Sequence, residues 1–258
     1  MTDFLDTLAM DATKTIDSGY YKTDSKKKQP KASLRQSILN CKHNPIISEI
    51  KAASPSIGTI RNKIDIPQIA QAMEKGGATG ISVLTEPKHF QGSLTALKQA
   101  RETTKLPILM KDIIIVTDQI EVGAQIGANA VLLIQALFDR DCCEMSIEKT
   151  ISFAHSKSLE VLLETHNESE FQKALETDAD LIGINNRNLP TLKIDLDTTR
   201  LILEKHKVPN KLVVSESGIK TPLDLQFLRS CGANAFLIGS SIMLTENIEE
   251  KVAEFVLA

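Results

Sequence analysis

From Pro45 onward the chain alternates short apolar runs with longer amphipathic stretches, and this alternation limits its possible folds more than any other feature. The runs are Ile46–Ile50, Gly80–Leu84, Ile108–Lys111, Ala130–Ile134, Glu160–Leu163, Leu181–Ile184, Leu212–Ser215 and Ala235–Ile238. Between them, Ile66–Lys75, Thr117–Ile126, Ile147–Ser158, Glu168–Leu175, Thr198–Lys205 and Leu223–Ser230 carry apolar residues at spacings of three and four, the period of a helix with one buried face. Gly76-Gly77-Ala78, Gly127-Ala128-Asn129 and Gly232-Ala233-Asn234 set glycine where a helix stops and the chain turns back into the next strand. Such alternation is the pattern of a parallel sheet with crossover helices. Eight complete units fit a closed (β/α)8 barrel. The rival, a doubly wound open sheet, is disfavoured because the first strand carries no Gly-rich dinucleotide fingerprint. The expected class is therefore α/β, a single (β/α)8 TIM barrel over residues 45–258 behind an N-terminal helical extension over residues 1–44.

Within that extension Phe4–Ile16 reads as a helix, followed by a polar stretch with Lys26-Lys27-Lys28. The lysine run is expected to be a solvated loop, with attraction of an anionic substrate as the alternative. Phe4, Leu5 and Leu8 form an apolar face that must be covered, and the sequence leaves two sites open: the barrel mouth as a lid, or the barrel bottom as a plug. Lys plus Arg total 30 against 33 for Asp plus Glu, a net charge of −3 that offers no field for nucleic acid or an anionic membrane. The expected partner is a small molecule. No apolar run approaches the roughly 20 residues of a membrane span, and the acidic N-terminus lacks the basic start of a secretory signal. The cysteines (Cys41, Cys142, Cys143, Cys231) have neither zinc-site nor disulfide spacing and read as reduced thiols. A cytoplasmic protein is expected.

A barrel of this class carries its chemistry at the C-terminal ends of its strands, and here those ends are unusually polar. Glu49 and Lys51 close the first strand; two residues apart, they emerge on the same side. Lys111-Asp112, Glu164, Asn185-Asn186-Arg187, Ser215-Glu216-Ser217-Gly218 and Gly239-Ser240-Ser241 follow strands three, five, six, seven and eight. Glu49, Lys51, Lys111, Glu164, Arg187 and Glu216 should then converge on one cleft, where each must pair or bind ligand to offset its desolvation. Ser217-Gly218 and Gly239-Ser240 occupy the two loops where barrels often hold phosphate on backbone N–H groups. A phosphate ester is the expected substrate. His89 and His166 fall near strand exits but have no second ligand at metal spacing, so no metal site is expected. Phe90 could stack on a ring or simply pack its loop.

These residues together resemble indole-3-glycerol-phosphate synthase, a (β/α)8 enzyme of tryptophan biosynthesis. The likeness rests on Glu-Ile-Lys-x-x-Ser-Pro-Ser at 49 to 56, Leu84-Thr85-Glu86 with Phe90-x-Gly92, Lys111-Asp112, Glu164, Ile182 to Leu189, Ser215 to Ile219 and Phe236 to Gly239. The resemblance implies a substrate, 1-(2-carboxyphenylamino)-1-deoxyribulose 5-phosphate, converted with loss of carbon dioxide and water to indole-3-glycerol phosphate, and no cofactor. It implies Lys111 as general acid and Glu164 as a proton-transfer carboxylate, with Glu49, Lys51, Asn185 and Glu216 completing the catalytic cluster and the dehydration roles of Lys51, Glu49 and Glu164 left open. It also implies Arg187 for the anthranilate carboxylate, Ser217, Gly218, Gly239 and Ser240 for phosphate, Phe90, Leu132 and Leu189 for the aromatic wall, and Ser54 among the substrate-binding positions.

Departures are Ile113, where many relatives carry Phe, and Ala52-Ala53, where a basic residue is common. Neither removes a proton-transfer group. A phosphoribosylanthranilate isomerase would be expected to end strand one in cysteine and strand six in aspartate, against Glu49/Lys51 and Asn185 here. A non-catalytic phosphate-binding barrel would not need an acid and several carboxylates around one site. No protein partner is identified.

Overall fold

The computed structural model describes residues 3–23, 32–54, 58–60, 64–208 and 210–258. Helices α1 (Phe4–Asp17) and α2 (Leu34–Asn40) precede strand β1 (Ile46–Ile50), and a short hairpin of β2 (Ala53–Ser54) and β3 (Gly58–Thr59) follows it. The chain continues through α3 (Ile66–Lys75), β4 (Gly80–Leu84), α4 (Leu94–Thr103), β5 (Ile108–Lys111), α5 (Thr117–Ile126) and β6 (Ala130–Ile134). Next come α6 (Gln135–Asp139), α7 (Ile147–Ser156), β7 (Glu160–Thr165), α8 (Glu168–Leu175), β8 (Leu181–Asn185) and α9 (Asp197–Lys205). It ends with β9 (Leu212–Glu216), α10 (Pro222–Ser230), β10 (Ala235–Ile238), α11 (Ser240–Met243) and α12 (Ile248–Val256). The lysine run at 26–28, and Pro55 and Ser56, lie outside the described residues, as does the side chain of Ser54.

Among the described residues, β1 and β4 to β10 form one closed parallel barrel. Closure is made where β1 pairs with β10, Ile46 opposite Phe236 and Ile47 opposite Leu237. Alternation along each strand then sorts the apolar side chains into two shells. Ile47, Leu109, Leu132, Leu162, Leu181 and Val214 point inward and pack together. Ile46, Ile81, Met110, Val131, Val161 and Phe236 point outward and meet the helices. Burying each of these side chains contributes roughly 1.5–3 kcal/mol. Helix limits follow from capping chemistry. Asp65 accepts from the N–H of Gln68 at 3.0 Å to start α3, and Gly127, at φ 108°, ends α5 in the left-handed conformation that glycine adopts without strain.

Strands β7, β8 and β9 run to Thr165, Asn185 and Glu216, beyond the apolar runs that announced them. Polarity ends the runs, but the ladder goes on: Glu164 pairs with Gly183, Thr165 with Ile184 and Asn185 with Glu216. The functional side chains of these strands therefore stand on hydrogen-bonded backbone instead of loop.

The extension serves both ends of the barrel. Leu34 and Ile38 of α2 are buried in the cluster that holds the inward shell, and a Cβ on Gly80, at the start of β4, would lie 2.6 Å from Leu34 Cδ1. Glu160, the first residue of β7, accepts the Ser33 hydroxyl and the N–H groups of Leu34 (2.7 Å) and Arg35 (3.1 Å), so a carboxylate from the barrel bottom caps α2. Glu160→Ala is expected to cost about 1–2 kcal/mol of stability with KM unchanged, since α2 covers the end remote from the strand C-termini. An unaltered melting temperature would show that this cap does not hold α2. No helix among the described residues is long and apolar enough to cross a membrane.

Candidate active site

The C-terminal ends of the strands surround a cavity of about 480 Å³. On its floor Lys111 extends from the end of β5 into a ring of carboxylates. Its Nζ lies 2.7 Å from Glu216 Oε2, 3.5 Å from Glu164 Oε2 and 3.6 Å from Glu49 Oε2. Two of these acids have a further cation. Glu49 Oε1 is 2.7 Å from Lys51 Nζ, and Glu164 Oε1 is 3.0 Å from His166 Nε2. All three carboxylates are buried, so their charges survive only through these partners.

Burial pulls against ionisation at every one of these groups, and partners decide the outcome. Burial would lower the pKa of Lys111, but Glu216, Glu49 and Glu164 outweigh it and hold the ammonium well above its ordinary range. For Glu49, burial is overcome by Lys51 and Lys111, and the carboxyl is held low. Glu164 is held low against burial by Lys111 and His166. Glu216 shares only Lys111, so burial, reinforced by repulsion from Glu164 and Glu49, pushes it up. The floor is thus an ammonium with its proton, two ionised acids, and one acid that accepts a proton readily.

Of the residues anticipated for the site, Glu49, Lys51, Phe90, Lys111, Leu132, Glu164, Asn185, Arg187, Leu189, Ser217, Gly218, Gly239 and Ser240 line the cavity. Glu216 does not. Fully buried, it supports Lys111 from beneath, in space left by Gly183, whose absent Cβ would collide with Glu216 Oε1. Ile113 joins the apolar wall with Leu84 and Ile134. Asn185 accepts the Arg187 N–H at 3.0 Å, whereas Asn186 turns away and donates to Ser215 Oγ, Glu216 O and Ser217 O, clamping β8 to the turn after β9. In that turn Ser217 and Gly218 are both left-handed, at φ 65° and 89°. Ser241 Oγ donates to Ile219 O at 2.8 Å and joins this loop to the one after β10. Gly239 also abuts the floor: a Cβ there would collide with Glu49 Oε1 and lie 2.9 Å from Lys51 Nζ.

Helix α1 lies against the mouth, with Phe4 and Leu8 in the cavity wall. Arg140, after α6, pairs with Asp3 at 2.7 Å and Asp6 at 2.6 Å. Asp11 pairs with Lys88 at 2.7 Å and His89 at 2.9 Å in the loop after β4. Beyond the helix, Tyr20 donates to Thr85 O and Tyr21 to Asp112 Oδ2. These contacts tie α1 and the turn after it to the rim over β4, β5 and β6, which are neighbours in the barrel.

The family model for indole-3-glycerol phosphate synthase matches residues 7–255. The chain belongs to this family. An indole-3-glycerol phosphate synthase of Methanocaldococcus jannaschii is 49% identical over 235 residues, 89% of this chain and 85% of that protein. One from Lachnospira eligens is 45% identical over 215 residues, 81% of this chain and 78% of the relative. The activity is that of an indole-3-glycerol phosphate synthase: a carboxy-lyase reaction, decarboxylative ring closure to indole-3-glycerol phosphate. Among solved structures, a thiamine phosphate pyrophosphorylase from Pyrococcus furiosus superposes with a TM-score of 0.61 over 86% of this chain and 96% of its own, at 19% identity, a likeness of fold alone.

Three features of this indole-3-glycerol phosphate synthase site have no counterpart among the motifs of its sequence: the pairing of His166 with Glu164, the room Gly183 leaves for Glu216, and the clamp made by Asn186; Phe4 and Leu8, by contrast, lie at the mouth, one of the two positions the sequence left open for them. Of the three, only His166 carries a local signal. Glu164 and His166 repeat the two-residue spacing of Glu49 and Lys51.

Proposed function

We propose that Lys111 is the acid that starts ring closure of 1-(2-carboxyphenylamino)-1-deoxyribulose 5-phosphate, with Glu164 and Lys51 handling the later proton transfers. The supporting observation is one buried ammonium ringed by three carboxylates, at 2.7, 3.5 and 3.6 Å, beneath an apolar cavity. In the first step the aromatic carbon bearing the carboxylate bonds to the ketone carbon, and Lys111 gives its proton to the ketone oxygen. Carbon dioxide then leaves, and its bonding pair restores the aromatic ring. In the last step Lys51 protonates the new hydroxyl, which departs as water, while Glu164 takes a proton from the adjacent ring carbon. Two protons are delivered and one is recovered; the net uptake matches the carboxylate charge lost with carbon dioxide. Glu164 suits the base role because its Oε2 has no hydrogen-bond partner. Glu216 and Glu49 keep Lys111 charged between turnovers.

Binding follows from the walls. Phe90, Leu132 and Leu189 take the aromatic ring, and Arg187 offers its planar fork to the carboxylate that later leaves. Ser217, Gly218, Gly239 and Ser240 take the phosphate on the backbone N–H groups of the loops after β9 and β10. Asn185 orients substrate at the floor, and Ser54 is included by its motif alone. The direct test is to incubate the protein with this substrate and follow indole fluorescence. Folded protein that yields no signal would overturn the reading.

Residues 1–44 act in two parts in this reading, with α1 as a lid that excludes water from the decarboxylating intermediate. Deletion of residues 1–19, which removes α1 and spares α2, is expected to raise KM about tenfold, or ~1.4 kcal/mol of binding free energy, with cooperative melting retained. A truncated chain with parental KM and a much lower melting temperature would mean that α1 only stabilises the barrel.

A further inference from the structure

His166 follows β7, two residues beyond Glu164, and its side chain is 7% exposed. Its ring stands between two acids. Nε2 is 3.0 Å from Glu164 Oε1, an ion pair rather than an aligned hydrogen bond, and Nδ1 is 3.2 Å from Glu170 Oε2. Glu170 is itself fixed at the start of α8. It accepts the His166 backbone N–H at 2.8 Å and the Asn167 amide at 2.5 Å, while its own N–H donates to Asn167 Oδ1 at 3.0 Å. A neutral imidazole has one N–H and would turn a lone pair toward one of the two carboxylates; only the imidazolium suits both. With His166 charged, each floor acid has its own cation: Glu49 has Lys51, Glu216 has Lys111, and Glu164 has His166.

We propose that His166, oriented by Glu170, is a positioning residue: its imidazolium holds Oε1 of Glu164 so that Oε2 remains ionised and free toward Lys111 and the cavity. Burial opposes the charged ring, but Glu164 and Glu170 outweigh it and raise its pKa to about 9. The charged groups facing the ring are Glu164 from β7 and Glu170 from α8; Lys111 of β5 lies beyond Glu164, with Glu49 and Glu216 beyond Lys111.

The role presupposes that Glu164 handles protons on substrate, and the test separates the two claims. Parent, His166→Gln, Glu170→Gln and Glu164→Gln are compared by kcat, KM and melting temperature, with kcat/KM for the carboxyphenylamino-deoxyribulose phosphate followed across pH. His166→Gln is expected to lower kcat roughly tenfold at neutral pH, short of the about 10²–10⁴-fold for losing a base outright, with KM little changed. Its acidic limb should move up by about one pH unit or more, because Glu164 without its cation keeps a proton to higher pH. Glu170→Gln should do the opposite at the other end. With one carboxylate gone, His166 gives up its proton at lower pH, so the basic limb moves down while activity near pH 6 stays close to the parent. A packing role would lower activity by one factor at every pH. Profiles of both variants superimposable on the parent would overturn the proposal, and Glu170→Gln decides alone if His166→Gln does not fold. A Glu164→Gln enzyme with parental kcat would remove the base role and this one with it; an inactive Glu164→Gln beside an unmoved His166→Gln profile would remove only the part given to His166.

Discussion

Lys111→Met is expected to lower kcat by about 10²-fold or more, the scale of losing a positioned acid, with KM little changed. The other two cations described at the floor stand elsewhere: Lys51 is beside Glu49, at 2.7 Å, and serves the later dehydration in the proposed sequence, and His166 lies on the far side of Glu164. The substitution also leaves Glu216 buried without a cation. Its carboxyl, already pushed up by burial, should rise further and hold its proton, which lets the variant fold. The sign of the stability effect follows. An acid whose pKa is raised in the folded state removes stability as pH climbs from its unfolded pKa to its folded one, so a further rise at Glu216 extends that loss to higher pH in the variant than in the parent. The melting temperature of Lys111→Met should therefore be near the parent's at pH 6 and fall relative to it toward pH 9. Turnover within a few-fold of the parent would remove the acid role from Lys111, and a melting difference that does not widen with pH would mean Glu216 has another partner.

Gly239→Asp is expected to raise KM about 100-fold, or ~2.8 kcal/mol. Two effects add. Any Cβ at this position collides with Glu49 Oε1 and crowds Lys51, so even Gly239→Ala should disturb the Glu49–Lys51 pair. Aspartate then adds a negative charge where Glu49 already stands and where the substrate phosphate is proposed to bind. Inorganic phosphate should compete with substrate in the parent and lose potency in Gly239→Asp by more than in Gly239→Ala. An aspartate variant with parental KM would place the phosphate elsewhere in the cavity.

The elements of the barrel and most of its site are legible in the sequence because the signals that specify them are local. A period of two marks a strand and a period near four a helix, and each can be read within a dozen residues. The strand ends follow from those runs, and a barrel brings its strand ends to one rim whatever the details of packing. Glu49, Lys51, Lys111, Glu164, Arg187 and Glu216 are accordingly assigned to one cleft by their places along the chain alone; the first five line the cavity, and Glu216 is buried beside Lys111 without reaching the wall. Helix α2, seven residues long, is too short to show a period and leaves no such signal.

What the sequence by itself determined is thus the eight strand–helix units, their order, and the residue types carried to the rim. Only the tertiary structure decided how those residues meet. That α1 covers the mouth while α2 covers the bottom depends on partners far along the chain, Arg140 and Lys88 for one and Glu160 for the other. That Glu216 lies under Lys111 instead of in the cavity wall depends on Gly183 of the neighbouring strand, since register across a closed sheet sets which side chain has room. The pairing of His166 with Glu164 lies between these cases. The two-residue spacing put both on one side of β7, but it took Glu170, one helical turn further on, to aim the ring at the acid. Periodicity determines the face on which a side chain emerges; the atom it touches is determined by the packing of segments distant in sequence.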